Sequence, residues 1–416
     1  MPRLLEGSIA VAQTVGRCRP DVIAAYPISP QTHIVEALSR AVCAGDLGDC
    51  QLLNVESEFA AMSACIGAAA VGARPYTATA SQGLLYMSEA LFNASGLGLP
   101  LVMTVANRAI GAPINIWNDH SDALSQRDSG WIQLFAESNQ EAVDLHVQAY
   151  RLAETLSLPV MVCMDGFVLT HAHEPVEVPD AAAVDAFLPR VAPAQVLDPD
   201  APQTIGAMVG PEAFTEVRYL MHHKQMAALD AIPQIAEEFA AAFGRDSGGL
   251  VRGYRLEGAE TVVVAMGSVL GAIEEVVDEL RDDGVPVGAL ALRCFRPTPA
   301  AELRAALAPA RRVVVVEKAM SPGTGGIVGA DVRRALDGCD TRVHDIIAGL
   351  GGRPITKASL RTLLARARED RLGSLGFLDL DRDRVAAELA RAGTPTAPGG
   401  HAAQALAAAG LWEEDA

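Results

Sequence analysis

Short apolar runs alternate with amphipathic helical patterns along much of this 416-residue chain, and this alternation limits the folds open to it. In the first part of the chain the apolar runs predict strands over residues 21–26, 52–55, 76–80, 99–106 and 159–164. Apolar side chains at helical spacing predict helices over residues 32–43, 58–71, 84–95 and 140–156. Such alternation is typical of an α/β domain with a mostly parallel sheet and helices on both faces.

The alternation stops near residue 171 and resumes near residue 254, so the sequence predicts more than one domain. We expect an N-terminal α/β domain over 1–170, then a connecting arm or insertion over 171–253 that contains one long helix at 231–243. A second α/β domain is expected over 254–366, followed by a charged, Ala-rich tail over 367–416. In the second domain the predicted strands and helices are 261–266, 269–282, 285–292, 313–316 and 327–336.

Charge and cysteine content narrow the class of protein. The formal net charge of −18 argues against a nucleic-acid partner, because phosphate binding needs clustered cations. The seven cysteines are scattered without a C-x-x-C pair, which argues against a disulfide framework, a zinc site or an iron–sulfur site on this chain. Two charge-free stretches, 59–73 and 90–107, are too short or too broken by Gly, Asn and Pro to span a membrane. We therefore expect a cytoplasmic protein with reduced core thiols.

The first chemically informative junction is residues 26–32, Tyr-Pro-Ile-Ser-Pro-Gln-Thr, where a predicted strand passes into a helix. Ser29 suits the N-cap and Pro30 the first helical position. This arrangement would place Ser29 at the carboxyl end of a strand, where open α/β sheets bind ligands, beside a helix N-terminus that favours anions. The alternative is a plain helix cap without a ligand.

Two charged residues mark the next junctions. Glu58 opens a helix that is otherwise uncharged, so its carboxylate is a candidate functional acid, although acidic residues also favour the first helical turn for structural reasons. Arg108 follows directly on a buried-type strand, and its planar guanidinium suits bidentate binding of a carboxylate. Alternatively, Arg108 pairs with an acid of the long polar loop over 107–130.

The fourth junction is residues 79–83, Thr-Ala-Ser-Gln-Gly, which includes Ser81 and Gln82. Small residues there allow a ligand or a neighbouring backbone to come close, and the alternative is a tight turn. All four junctions are predicted at the same end of one sheet, which favours a shared site. No P-loop, G-x-G-x-x-G or G-x-S-x-G motif is present, and the pair His171 and His173 lacks a third metal ligand.

These motifs together resemble those of the α subunits of 2-oxoacid:ferredoxin oxidoreductases. Residues 26–30 are similar to the family's Tyr-Pro-Ile-Thr-Pro motif, with Ser29 in place of Thr. The resemblance covers roughly residues 5–365, and several of its stretches match pyruvate-active members. The other similar stretches are 57–61, 79–85, 106–109, 112–120, 126–131, 317–319 and 321–323.

The resemblance implies a pyrimidine-binding domain of a thiamine-diphosphate enzyme, followed by a transketolase C-terminal-like domain. It implies oxidative decarboxylation of pyruvate, or the reverse synthesis, with coenzyme A and ferredoxin. The thiamine diphosphate would be shared with a β subunit that carries the diphosphate and Mg²⁺ site, since this chain lacks a G-D-G…N motif. The [4Fe-4S] clusters would lie on partner subunits, with γ and ferredoxin-like δ subunits completing a dimer of heteromers.

The resemblance also implies roles for individual residues. Glu58 would hydrogen-bond the aminopyrimidine ring of the cofactor, and Tyr26, Ser81 and Gln82 would contribute to cofactor binding. Arg108 would hold the substrate carboxylate, and Ser29 would hydrogen-bond the same substrate. The Ser at position 29 leaves another 2-oxoacid open as the substrate: a branched-chain oxoacid, 2-oxoglutarate or oxalate. A non-catalytic scaffold subunit is the alternative of another class.

Overall fold

The computed structural model describes residues 2–193, 195–393 and 400–408, and its strands and helices alternate as the sequence predicts. The chain divides into two compact units. Unit 1 comprises the residues up to 252 together with 266–268 and 292–299, and unit 2 comprises 253–265, 269–291 and the residues from 300 onward.

The strands up to the end of the first predicted domain and its arm are β1 (Arg3–Glu6), β2 (Val22–Ala25), β3 (Gln51–Asn54), β4 (Pro75–Thr79), β5 (Val102–Asn107), β6 (Ile132–Phe135), β7 (Val160–Asp165) and β8 (His173–Val176). The helices there are α1 (Gly7–Arg17), α2 (Thr32–Cys43), α3 (Glu58–Ala70), α4 (Ser81–Tyr86), α5 (Ser88–Gly96), α6 (Ser121–Ser125), α7 (Asn139–Leu156), α8 (Ala181–Phe187) and α9 (Phe214–Phe243).

The later strands are β9 (Val251–Tyr254), β10 (Thr261–Ala265), β11 (Val287–Leu292), β12 (Cys294–Arg296), β13 (Arg312–Glu317), β14 (Arg342–Ile347) and β15 (Leu375–Phe377). The later helices are α10 (Val269–Asp282), α11 (Ala300–Leu307), α12 (Val328–Ala335), α13 (Lys357–Arg368), α14 (Arg382–Arg391) and α15 (Gly400–Ala408), with a 3₁₀ turn at Leu350–Gly352. None of the helices in the described part of the chain is both long and apolar enough to cross a bilayer.

A seven-stranded sheet in the order β12-β6-β7-β5-β4-β2-β3 forms the centre of unit 1. Its strands run parallel except β12, which pairs antiparallel with β6. Every residue of β4, β5 and β7 is buried, as expected of parallel strands that helices cover on both faces. The adjacent strands β5, β4, β2 and β3 therefore bring the four predicted junctions to one edge of the sheet.

The segment that follows β7 is packed onto unit 1. Strand β8 pairs antiparallel with β1, and the C-terminal half of α9 contributes Ala228, Ile232 and Phe239 to the apolar core. Helix α9 is longer than the predicted 231–243, because its first half is mostly exposed and so lacks the apolar spacing that marks a buried face. The helix also continues through Pro233.

A six-stranded sheet in the order β15-β14-β13-β10-β11-β9 forms the centre of unit 2. Strands β10, β11, β13, β14 and β15 pair in parallel. Helices α10 and α13 pack on this sheet through apolar side chains such as Ile273, Val277, Leu360 and Leu364, which surround Val263 and Val314. The observed α10 has the predicted bounds, since its apolar face is regular over its whole length.

Three local predictions are wrong. Ser29 is not an N-cap and Pro30 is not the first helical residue: residues 28–31 close a hydrogen-bonded turn, from Gln31 N to Ile28 O, and α2 begins only at Thr32. The helix predicted over 84–95 is two helices, α4 and α5, that meet at Met87. The polar loop over 107–130 contains the short helix α6.

Candidate active site

Glu58 is a buried carboxylate at the first position of α3, shortly after β3. Ser57 caps α3, its hydroxyl accepting a hydrogen bond from Ala60 N at 3.2 Å, and this cap fixes the first turn on which Glu58 stands. The Glu58 side chain is 8% exposed, and it makes no hydrogen bond or ion pair with the described residues. An ionised carboxylate that is buried without a partner is costly, so this position favours a ligand that supplies one.

Gly83 lets the carboxylate of Glu58 come close to helix α4. A Cβ atom on Gly83 would lie 2.7 Å from Glu58 Oε1 and 2.5 Å from Thr79 Oγ1, so a larger residue would force these two side chains to shift. The Thr79 hydroxyl is itself buried without a hydrogen-bond partner in the described structure. The carboxyl edge of the sheet near β4 therefore holds two polar side chains that make no hydrogen bond with the described residues.

Arg108 stands at the end of β5 and is 6% exposed. Its Nη1 donates to Ser29 O at 2.8 Å and its Nε donates to Asn115 O at 3.2 Å. Burial lowers the pKa of Arg108, and the nearby carboxylate of Asp122 opposes that shift. Within the described chain no carboxylate forms a salt bridge with the guanidinium, so the predicted alternative of a loop ion pair is not observed and the charge is available to an anionic ligand.

The turn after β4 is tied to the loop after β5. Ser81 has a φ of +48°, a left-handed conformation that costs energy for a residue with a side chain. Its hydroxyl donates to Ala109 O, which joins the two chain segments. The side chain of Gln82 reaches Gly111, where a Cβ would lie 2.6 Å from Gln82 Nε2. Ser81 and Gln82 therefore lie between Gly83, which contacts Glu58, and the loop that begins at Arg108.

Asp122 was not among the predicted site residues, yet it lies at the centre of these contacts. It is fully buried in α6, and four hydrogen-bond donors surround its carboxylate. Burial raises the pKa of Asp122 to about 6, against the lowering effect of its hydrogen bonds. In the sequence, the only signal for Asp122 is its place at the end of the polar run 118–122, which follows a strand end. No local pattern reveals its role, because its hydrogen-bond partners at the other strand ends are far away in the chain.

A second buried polar cluster that the sequence did not reveal follows β7. His120 Nε2 lies 2.7 Å from Asp165 Oδ1, and Ser268 donates both its backbone N–H and its hydroxyl to Asp165 Oδ2. A Cβ on Gly267 would lie 3.1 Å from His120 Nε2 and from Asp165 Oδ1. Arg108 lies at the start of the loop over 107–130, and these contacts hold the same loop further along, at His120.

Tyr26 and Ser29 lie on the exposed side of the first junction. Tyr26 is 40% exposed, and its carbonyl accepts a hydrogen bond from Gln31 Nε2 at 3.0 Å. The same amide donates to Ala78 O at 2.9 Å, so the buried Gln31 ties the junction to β4. Ser29 contacts Arg108 through its carbonyl. The structure thus joins Ser29 to Arg108, Ser81 to the Arg108 loop, and Glu58 to the α4 turn, while Tyr26 makes no such contact.

Comparison with known proteins first identifies the fold. The chain resembles a 2-oxoglutarate:ferredoxin oxidoreductase from Magnetococcus marinus, whose structure contains 2-oxoglutarate, coenzyme A and succinyl-CoA, with a TM-score of 0.68 and 20% identity. The match covers 89% of this chain and 65% of that one, so this chain spans just under two thirds of that protein's length. At this identity the likeness shows the fold alone, and the predicted α/β class is confirmed.

Sequence comparison then identifies the family. Residues 13–237 match the family described as pyruvate flavodoxin/ferredoxin oxidoreductase, thiamine diP-bdg, and residues 259–360 match pyruvate:ferredoxin oxidoreductase core domain II. The chain belongs to this family, and the resemblance to the α subunits of 2-oxoacid:ferredoxin oxidoreductases is confirmed.

Individual similar proteins support the same assignment. Pyruvate synthase subunits PorA from Methanosarcina barkeri and Methanocaldococcus jannaschii are 49% and 48% identical, over 88% and 87% of this chain and 92% and 94% of theirs. A ketoisovalerate oxidoreductase subunit VorA from Pyrococcus horikoshii is 39% identical, over 87% of this chain and 92% of its own length.

The strand-end site fits one part of thiamine diphosphate, the aminopyrimidine ring. The unpartnered Glu58 carboxylate and Thr79 hydroxyl suit the nitrogen-bearing edge of such a ring, and Gly83 leaves room for both side chains against α4. The residues that the structure describes contain no group of three or more His, Cys, Asp or Glu side chains that could hold a metal ion. Glu58, with Ser81 and Gln82 beside it, is the candidate set for the ring.

Proposed function

We propose that this chain is the α subunit of a coenzyme A-dependent pyruvate:ferredoxin oxidoreductase, which decarboxylates pyruvate oxidatively or synthesises it in reverse. The observation that supports this most is the buried, unpartnered carboxylate of Glu58, on the same sheet edge as the unneutralised guanidinium of Arg108. Pyruvate as the substrate is supported by relatives named pyruvate synthase subunits at 43–49% identity.

Glu58 is the proposed contact to the cofactor. When bound, thiamine diphosphate supplies the nucleophile and the electron sink for 2-oxoacid chemistry. Glu58 would hydrogen-bond the aminopyrimidine ring nitrogen and so hold a proton at that atom. Its burial strengthens this bond, since little water competes for the carboxylate. Ser81, Gln82 and Tyr26 are proposed to line the same cofactor.

Arg108 and Ser29 are the proposed contacts to the substrate. The guanidinium is held by two backbone carbonyls, so its orientation is fixed before substrate arrives. A fixed planar fork can grip a carboxylate at two points and hold the reacting carbon in place. The Ser29 hydroxyl would hydrogen-bond the same substrate, because its carbonyl already contacts Arg108.

The remaining components are proposed to come from partner chains. A β subunit would supply the diphosphate and Mg²⁺ site, and γ and ferredoxin-like δ subunits would carry electrons through [4Fe-4S] clusters to ferredoxin. The loop after Arg108 exposes Ile114, Ile116 and Trp117, and an apolar surface of this kind beside a half-site suits a subunit contact. We propose a dimer of such heteromers in the cytoplasm.

A second candidate is the same chemistry on a branched-chain 2-oxoacid. Ketoisovalerate oxidoreductase subunits are 38–39% identical to this chain, not far below the pyruvate synthase subunits. Ser29, which replaces a Thr of the family motif, lacks one methyl group and would leave more room beside Arg108. A panel of 2-oxoacids assayed on one complex distinguishes the two candidates.

The test compares Glu58→Gln with Glu56→Gln, an exposed carboxylate two residues earlier that serves as the matched control. Each variant is co-purified with its partner subunits and assayed with pyruvate, 2-oxoisovalerate and 2-oxoglutarate, coenzyme A and ferredoxin. We expect Glu58→Gln to assemble normally and to lose at least about 100-fold in turnover, as for a group that holds a transferred proton. Glu56→Gln should keep the wild-type rate.

Full activity in Glu58→Gln would exclude the proposed role of this carboxylate. A wild-type complex that assembles but turns over none of the oxoacids would favour a non-catalytic scaffold subunit. These two results differ in the behaviour of the wild-type complex and are therefore distinguishable.

A further inference from the structure

The carboxylate of Asp122 connects two strand ends that each carry part of the proposed site. Its Oδ2 accepts from Ser81 N and Arg108 N, both at 2.9 Å. Its Oδ1 accepts from Asn107 Nδ2 and Ala123 N, both at 2.8 Å. A single oxygen thus holds the first residue of α4 and the residue that follows β5.

These two N–H groups need an acceptor because the sheet ends beneath them. Strands β4 and β5 pair in parallel as far as Thr79 and Val105, and the chains then separate into a helix and a loop. Beyond that point Ser81 N and Arg108 N have left the ladder, and buried N–H groups without acceptors are costly. Asp122 satisfies both, from a position 41 residues after Ser81 and 14 after Arg108.

Each end of this connection leads to a different part of the site. On one side, Ser81 is followed by Gln82 and by Gly83, the glycine against which the Glu58 carboxylate lies. On the other side, the Arg108 guanidinium donates to Ser29 O. The spacing between the cofactor residues and the substrate residues therefore depends on how Ser81 and Arg108 are held relative to one another.

We propose that Asp122 is a positioning residue, which sets the distance between the Arg108 guanidinium and the α4 turn beside Glu58. This inference rests on the proposed function, in which one side binds the cofactor ring and the other the substrate carboxylate. Asp122 touches neither ligand. It acts through the backbone of Ser81 and Arg108, and its loss would remove the hydrogen bonds that hold the two residues relative to one another.

The chain offers a conservative replacement that separates hydrogen bonding from charge. In Asp122→Asn the amide oxygen can still accept from Ser81 N and Arg108 N. The new NH₂ group then faces Asn107, whose side-chain oxygen is buried without a partner in the described structure. A turn of the Asn107 amide would let that oxygen accept the new hydrogen bond. Three of the four contacts would thus survive without the negative charge.

Asp144 offers a matched control within unit 1. It is also fully buried, on α7, and its carboxylate accepts from Arg245 and from the Ser247 hydroxyl at 2.7 and 2.8 Å. It contacts none of the proposed site residues. Asp144→Ala should therefore reduce thermal stability as Asp122→Ala does, without affecting the site.

The experiment measures three quantities on the co-purified complex of each variant: the Kd of thiamine diphosphate by calorimetry, KM and kcat for pyruvate, and the melting temperature. For Asp122→Ala we expect KM to rise and kcat to fall. The ratio kcat/KM should fall by at least about 30-fold, because a small misplacement of the group that holds the substrate carboxylate slows the reaction strongly. The Kd should rise several-fold. Asp122→Asn should recover most of both losses, and Asp144→Ala should change only the melting temperature.

Equal kinetic losses in Asp122→Ala and Asp144→Ala, or wild-type kinetics in both, would reduce Asp122 to a structural residue and overturn the proposal. So would an Asp122→Asn variant that is as impaired as Asp122→Ala while melting like the wild type. Should Asp122→Ala not fold, Asp122→Ser takes its place, since one hydroxyl cannot accept all four bonds. If the wild-type complex bound no thiamine diphosphate, the proposed function itself would be wrong.

Discussion

Units 1 and 2 each place a buried carboxylate among backbone N–H groups at the carboxyl end of a parallel strand, but they use it differently. In unit 1, Asp122 comes from a later helix and holds the ends of two strands. In unit 2, Glu317 ends its own strand, β13, and accepts from the N–H groups that open α12: those of Ile327 and Val328 at 2.8 and 2.9 Å, and of Gly329 at 3.1 Å.

The two uses of a buried carboxylate determine which sheet edge can bind a ligand. The N-terminus of α12 has the geometry of an anion site, yet Glu317 already fills it. In unit 1 the carboxylate of Asp122 accepts hydrogen bonds from backbone N–H groups. The charged groups of Glu58 and Arg108 have no ionic partner among the described residues. Equivalent sheet edges thus give a closed structural site in one unit and, in the other, charged groups that stay open for the proposed ligands.

The first test of this comparison is the activity of an Arg108 variant. Replacing Arg108 by Ala removes the proposed carboxylate clamp, and we expect kcat/KM for pyruvate to fall by about 100-fold or more, since bound charges in a dry site contribute several kcal/mol. Steady-state kinetics of the complex measure this loss. The comparison predicts no such loss for Glu317→Ala, and equal losses in the two variants would contradict it.

The second effect is on the stability of unit 2. Glu317→Ala leaves the three N–H groups that open α12 without their acceptor, and we expect the free energy of unfolding at pH 6 to fall by about 1–3 kcal/mol. Chemical denaturation of the purified chain measures this change. Glu388→Ala, at an exposed site on α14, is the control and should be neutral.

A third test uses pH. Burial raises the pKa of Glu317 to about 7 from its ordinary value of 4.5, against the lowering effect of its three hydrogen bonds. Between these two values the folded chain keeps a proton that the unfolded chain has released, so the free energy of unfolding falls as pH rises. Relative to Glu317→Gln, the wild type should lose stability from pH 4.5 to 7. A difference that stays constant with pH would show that this pKa is not raised.

The smallest effect concerns Ser29. Restoring the family's Thr adds one methyl group beside Arg108, and we expect the preference for pyruvate over 2-oxoisovalerate to rise by about three- to tenfold, near the low end for one methyl group. Competition between the two oxoacids measures the ratio. An unchanged ratio would place the Ser29 side chain outside the substrate pocket.

The sequence predicted the sheet edge well because the relevant signals are local. Apolar spacing placed α2 and α10 within their observed bounds, and the charged residues Glu58 and Arg108 stood out against uncharged surroundings. The cap at Ser29 was predicted wrongly because a turn over residues 28–31 delays the helix, and the same cap residues also suit a turn.

The hidden part of the site could not be predicted from local patterns. Asp122, Gln31 and the His120–Asp165 pair make their contacts across 14 to 47 residues of sequence. An acid in a polar loop looks the same whether it is solvated or buried beneath two strands, and only the parallel register of β4 and β5 brings Ser81 and Arg108 together.

Calorimetry of thiamine diphosphate with Mg²⁺ binding to this chain alone, to its β partner alone and to the two together tests whether this chain holds only half of the cofactor site. A half-site predicts saturable binding only when both chains are present, and weaker binding by the complex that carries Glu58→Gln. Tight binding by this chain alone, or binding by the complex that does not depend on Glu58, would contradict the account.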